Sequence, residues 1–262
     1  MRRTARINLT LAVIAALLGA LVWWQVHNEM SALEPPLSAL DTSTVTSLRV
    51  GCAGCVERRF GRGPDGWRMH SPYALDADPA AIARLLAIAA APVRLREPAE
   101  GHDLARLGLD PPQMTLELDA KRIEIGTTDA LRGDRYVRDG THIARVPDRF
   151  SPFLLAAPES ELDRRLVPRG ATITALRIDD ADASARLAAW HAMPVSRITP
   201  AGGEDESATA HMIRATLADG ETITWRLVRS GDAWIARRAS PALDYHLDAS
   251  AVAALFDTGA TP

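Results

Sequence analysis

Only two cysteines, Cys52 and Cys55, stand in the 262 residues, which excludes a disulfide-dense scaffold. A basic excess is missing too: 30 Lys and Arg face 33 Asp and Glu, a net charge of −3. That excludes the electrostatic footprint of a nucleic-acid binder. Lysine is almost absent. Lys121 is the single one, and the other 29 basic residues are arginine. This bias reads as codon usage of a GC-rich, Ala-rich genome, not as function. The seven histidines are His27, His70, His102, His142, His191, His211 and His246, and no two form an H-E-x-x-H or H-x-x-x-H pair. No G-x-S-x-G occurs, so a hydrolase nucleophile elbow is lacking. No catalytic set, cofactor site or metal site emerges from these counts.

Long apolar runs are scarce as well, but one is present. Residues 9–24 are apolar except for Thr10, and residues 7–26 make a span of about 20 residues. At about 1.5 Å per residue this covers roughly 30 Å, the thickness of a hydrocarbon core. Arg2, Arg3 and Arg6 precede the run, and the next basic residue is Arg49. The positive-inside rule then puts residues 1–6 in the cytoplasm and the remainder outside. Trp23 and Trp24 suit the far headgroup belt. Leu18-Gly19-Ala20 is a poor signal-peptidase site, so an uncleaved signal anchor is expected. Val50-Gly51-Cys52 resembles the end of a lipobox, but Arg49 occupies the leucine position. With no second run, the reading is a single-pass protein of the bacterial inner membrane with a periplasmic ectodomain. Removing the three tail arginines leaves 27 basic against 33 acidic residues. An ectodomain of that sign is expected to stand off anionic headgroups.

Residues 27–44 are polar, carry Pro35-Pro36, and read as a stalk. The ectodomain divides into residues 45–167 and 168–258, with a tail at 259–262. The first part opens with strands at 45–50 and 56–60, then a glycine-rich turn into Trp67-Arg68-Met69. Asp78 is an N-cap with Pro79 at the first helical position, and Ile82, Leu85, Leu86 and Ala89 line one helical face. Asp103 caps a short expected helix at 104–107, closed by Gly108, with Leu109 folding back on it. Asp110, Pro111 and Pro112 forbid helix and lead extended into a strand at 114–118. Strands follow at 122–125, 135–138 and 142–146, the last two joined by Asp139-Gly140. The second part has strands at 173–178, 212–217 and 222–228, a flexible acidic loop at 201–207, and a helix at 247–256 capped by Asp248. One order recurs: Arg58, Phe60, Trp67, Asp78 and Leu86 echo Arg226, Val228, Trp234, Asp248 and Phe256. The expected fold is α+β: an N-terminal transmembrane helix, then two related modules of antiparallel sheet with a helix on one face.

Residues 61–66 match G-x-G-x-x-G, but a strand and not a helix follows, so a hairpin turn explains them and no nucleotide partner is expected. Cys52-Ala53-Gly54-Cys55 is the sharpest chemical feature. Val56 excludes haem attachment. The pair is open to a structural disulfide, free thiols, or a redox or metal role. Asp179-Asp180-Ala181-Asp182 and Glu204-Asp205-Glu206 lack the glycine and terminal glutamate of a calcium loop and read as solvated turns. Trp67, Trp190, Trp225 and Trp234 read as core; Trp67 and Trp234 are also candidates for a glycan-stacking face.

The order of parts resembles the family of domain of unknown function 4340. The resemblance rests on the membrane helix, Trp67, the run Leu107, Gly108, Leu109, Asp110, Pro111 and Pro112, then Ile125-Gly126, Arg135-Tyr136-Val137, and Trp234. It covers nearly the whole ectodomain, and Cys52 and Cys55 fall outside its pattern. The resemblance implies proteins without established catalytic residues that accompany ABC-type export components of the gliding-motility kind. The function expected is a non-enzymatic, membrane-anchored periplasmic accessory protein of an ABC-type transport system, held in the inner membrane by residues 7–26. A periplasmic thiol-redox or metal-handling protein built on Cys52 and Cys55, and a cell-envelope glycan-binding module, are the alternatives.

Overall fold

Alternation of buried and exposed side chains builds two antiparallel sheets. The computed structural model describes residues 14, 16–23, 35–202, 210–231 and 233–256. The first sheet is made by β1 (Ser47–Cys52), β2 (Arg58–Gly63), β3 (Gly66–Ser71), β4 (Leu75–Asp76), β5 (Leu95–Pro98), β6 (Met114–Leu118), β7 (Lys121–Thr128), β8 (Asp134–Asp139) and β9 (His142–Pro147). Its strand order is β4-β3-β2-β1-β6-β7-β8-β9-β5. Leu48 and Val50 of β1, Met114, Leu116 and Leu118 of β6, and Ile123 and Ile125 of β7 all point inward, as a two-residue period demands.

Helix α1 (Pro79–Leu86) covers this sheet. The Asp78 carboxylate accepts from Ala80 N–H at 2.9 Å, Pro79 fixes the first turn, and Ile82 and Leu85 are buried. A 3₁₀ turn, Ala87–Ala90, extends it and buries Ile88 and Ala89. A short helix α2 (Ser151–Leu154) and a 3₁₀ turn, Pro158–Glu161, follow β9.

The second sheet contains β10 (Ile173–Ile178), β11 (Ala181–Asp182), β12 (Val195–Pro200), β13 (Ala210–Leu217), β14 (Thr222–Ser230), β15 (Ala233–Ala239) and β16 (Ala242–Leu247), in the order β11-β10-β13-β14-β15-β16-β12. Helix α3 (Leu187–His191) buries Trp190 edge-on against Trp225 of β14, ring centres 5.4 Å apart. Helix α4 (Ala249–Phe256) starts at Asp248, whose carboxylate accepts from Ser250 and Ala251 N–H. One continuous apolar cluster runs through both sheets. The chain is therefore α+β, with two antiparallel sheets and few helices.

Two expectations change. Residues 35–44, read as stalk, are part of the folded body: Leu37 is fully buried, and Leu37 and Ser38 N–H donate to Ala91 and Ala89 carbonyls. The polar composition concealed one apolar anchor among prolines. Residues 104–107 form turns and not a helix, although Asp103 still caps them, accepting from Arg106 N–H at 3.2 Å. Residues 16–23 are helical with Leu17, Leu18, Leu21, Val22 and Trp23 exposed; among the described residues no helix is long and apolar enough to cross a membrane. The expected cytoplasmic tail, much of the 7–26 span, the acidic residues 204–206 and the tail 259–262 lie outside the described residues.

Candidate functional site

The singled-out run at 107–112 closes a knot on β7. Gly108 takes a left-handed φ of +66°, which turns the chain so that Leu109 is fully buried. Leu107 carbonyl then accepts from both the Thr127 N–H at 2.8 Å and the Thr127 hydroxyl at 3.2 Å. This contact leaves no room for a side chain at position 126: a Cβ there would sit 2.2 Å from Leu107 O and 3.0 Å from Leu109 Cγ. Gly126 is thus needed for close approach of two backbones, while Ile125 before it is buried in the core.

Arg135 of β8 ties the third piece in. Its Nη1 donates to Gly126 O at 2.9 Å and to Gln113 Oε1 at 3.2 Å, its Nε to Asp148 at 3.0 Å, and its Nη2 to Ser151 Oγ at 2.9 Å. All three guanidinium nitrogens donate within the chain, which leaves this group a brace, not an anion receptor. Pro112 bridges Leu109, while Asp110 and Pro111 are exposed. Two shallow grooves, about 290 and 420 Å³, flank the knot, and Leu107, Tyr136 and His102 line both.

A second polar cluster was not singled out from the sequence. Arg58 and Glu161 are buried and paired at 2.5 Å. Arg58 also donates to the carbonyls of Phe153 and Leu154, pinning α2 and the following turn to β2. Desolvation drives the Glu161 carboxyl up to about 7 against the pull of Arg58 and Arg84. Beside it the Tyr73 hydroxyl donates to Glu159; burial first, then this carboxylate, pushes the phenol up to about 12. The signal was present: Arg58 lies two residues before Phe60, so the strand period places both on the inner face.

Between the sheets lies a polar cleft of about 380 Å³. Arg169 lines it from the first-sheet side, its side chain donating to Asp163 at 2.6 Å and to the carbonyls of Asp65 and Ala77.

The remaining candidates stay apart. Cys52, at the end of β1, and exposed Cys55 form a disulfide. Residues 61–66 form the β2–β3 hairpin turn, Gly63 pairing Gly66. Trp67 and Trp234 are half-buried against the core, and Phe256 stacks on Trp234 at 6.3 Å. Asp179 accepts from Met212 N–H and pairs with His211 at 2.6 Å; these two bonds hold its carboxyl below the usual range. Asp180 pairs with Arg214, and Asp182 caps Ser184. His102 faces Glu97 at 3.8 Å. Among the described residues no group of three or more His, Cys, Asp or Glu is placed to hold a metal ion.

Residues 67–258 match the family model described as Domain of unknown function (DUF4340). No curated protein and no solved structure matches the chain. The match begins at Trp67 and runs past α4, so it takes in the whole knot and leaves out Cys52 and Cys55.

Proposed function

From the premise that the chain belongs to the DUF4340 family, we propose that it is a membrane-anchored, non-enzymatic periplasmic accessory protein of an ABC-type transport system. The carrying observation is the fate of the 107–112 run, Gly126 and Arg135. The hydrogen bonds of Leu107 and Arg135 are made to neighbours within the chain, and the outward expression of the knot is a pair of shallow grooves. Residues so used support reading the knot as a scaffold. The recurring strand-strand-strand-helix order, β2-β3-β4-α1 and β14-β15-β16-α4, supports reading the ectodomain as two related modules. The exposed apolar side chains at 17, 18, 21, 22 and 23 support anchoring through residues 7–26, since such a face is stable only out of water. Positive-inside orientation then places the sheets in the periplasm of a bacterial inner membrane. The test is affinity capture of the full chain in mild detergent. A transporter ATPase and permease should co-purify, and Tyr136→Ala, which strips a wall from both grooves, should reduce their recovery. Capture without any transporter component contradicts the proposal.

One observation favours a second reading. The Cys52–Cys55 disulfide ends in an exposed Cys55, accessible to thiol exchange, whereas a disulfide offers no thiolate to a metal. Cys52→Ser separates the two: a redox protein loses its function with this variant, an accessory protein keeps its partner.

A further inference from the structure

The chain enters its folded body along one line. Val93 N–H donates to Pro35 O at 3.0 Å, Leu37 N–H to Ala91 O at 2.9 Å, and Pro36 bridges Pro92. Pro92 is also a wall of an open, mainly apolar groove of about 390 Å³. Ala87, Pro147 and Phe153 supply other walls; its charged lining is Arg84 and Arg149, with no carboxylate. Arg84 lies over the Phe153 ring, 5.4 Å from its centre. The β7–β8 turn adjoins this face, because Asp134 pairs with Pro147 across β8 and β9 and with Arg94 at 3.2 Å. On that turn Leu131 is 92% exposed, and Arg132 beside it is exposed too.

We infer that this entry face docks on the phospholipid surface of the bilayer that holds the anchor. Arg84, Arg132 and Arg149 meet lipid phosphates, while Leu131 and the groove meet the boundary of the acyl region. The inference rests on the anchoring reading above. Eight residues, 27–34, separate the 7–26 span from Pro35, and fully extended they span at most about 30 Å. The face carrying Pro35 is therefore the one tethered close to the membrane. A bilayer interface offers phosphate oxygens above an apolar layer, which complements a groove with arginines and no acid. The net negative charge of the outer part is an average and does not describe this face. The acids on this face, Asp129 and Asp134 flanking the β7–β8 turn and Asp148 beside Arg149, are held by Arg145, Arg94 and Arg135, and no carboxylate lines the groove.

The full chain in nanodiscs of phosphatidylethanolamine and phosphatidylglycerol carries the test. A fluorophore is placed by Leu131→Cys, by Leu18→Cys within the anchor, or by Asp219→Cys on the β13–β14 turn, and a quencher is borne by the lipid. Loss of fluorescence is expected at 18 and 131 and not at 219. Arg84→Glu with Arg149→Glu should restore it at 131 alone. Quenching at 18 with none at 131, equal quenching at 131 and 219, or no effect of the arginine variants each overturns docking. Absence of quenching at both 18 and 131 overturns the anchoring reading, and docking with it.

Discussion

Arg58 shows how a single residue sets local structure here. Its guanidinium is 1% exposed and holds Glu161 and the end of α2 against β2. Removing it strands a buried carboxylate, so Arg58→Ala should cost about 3–5 kcal/mol, read from the urea midpoint. Arg58→Met with Glu161→Leu should recover most of that loss, because two apolar groups replace two buried charges. Glu161 also sets a pH dependence. Its folded pKa of about 7 lies above its ordinary value of 4.5, so the folded state binds the proton more tightly. The stability this gives is complete below the ordinary value and is lost as pH rises through about 7. Thermal unfolding of the parent against Glu161→Gln should show the parent's extra decline across that window; parallel curves would contradict it. Gly126→Ala places a methyl group into Leu107 O and should destabilise by about 1–3 kcal/mol.

At the scale of elements, the sequence located most strands of the first sheet, β10, β13 and β14 of the second, and both capped helices. Asp78→Ala removes the α1 cap and should cost about 1 kcal/mol, measured by denaturant unfolding. The elements that escaped did so for physical reasons. In β16, Leu243, Asp244 and Tyr245 are all buried in succession. That is tolerable because Arg237 pairs with Asp244 at 2.7 Å, and no alternation betrays it. In β12 two exposed residues, Ser196 and Arg197, separate Val195 from Ile198 where the register shifts against β16. In the 107–112 run the break in regular structure was legible, but the helix expected before it and the extended entry expected after it are turns, with Leu109 bridging Pro112. The partner surface of the run was not legible, because the Leu107–Thr127 contact depends on a tertiary approach that Gly126 permits only once β7 is in place.

At the scale of the molecule, both sheets share one apolar cluster. Unfolding should therefore be a single transition: tryptophan fluorescence, dominated by buried Trp190 and Trp225, and far-ultraviolet dichroism should give one midpoint. Separate midpoints would mean that the sheets unfold independently. The proposal to be tested is that this scaffold is held at the outer face of the inner membrane by a single N-terminal anchor. The most direct measurement is protease accessibility of the full chain in spheroplasts, followed by alkaline extraction of the membranes. The chain should stay in the extracted membrane, and protease added outside should remove the epitope of a C-terminal tag. Release into the soluble fraction, or protection of that tag in intact spheroplasts, would contradict it.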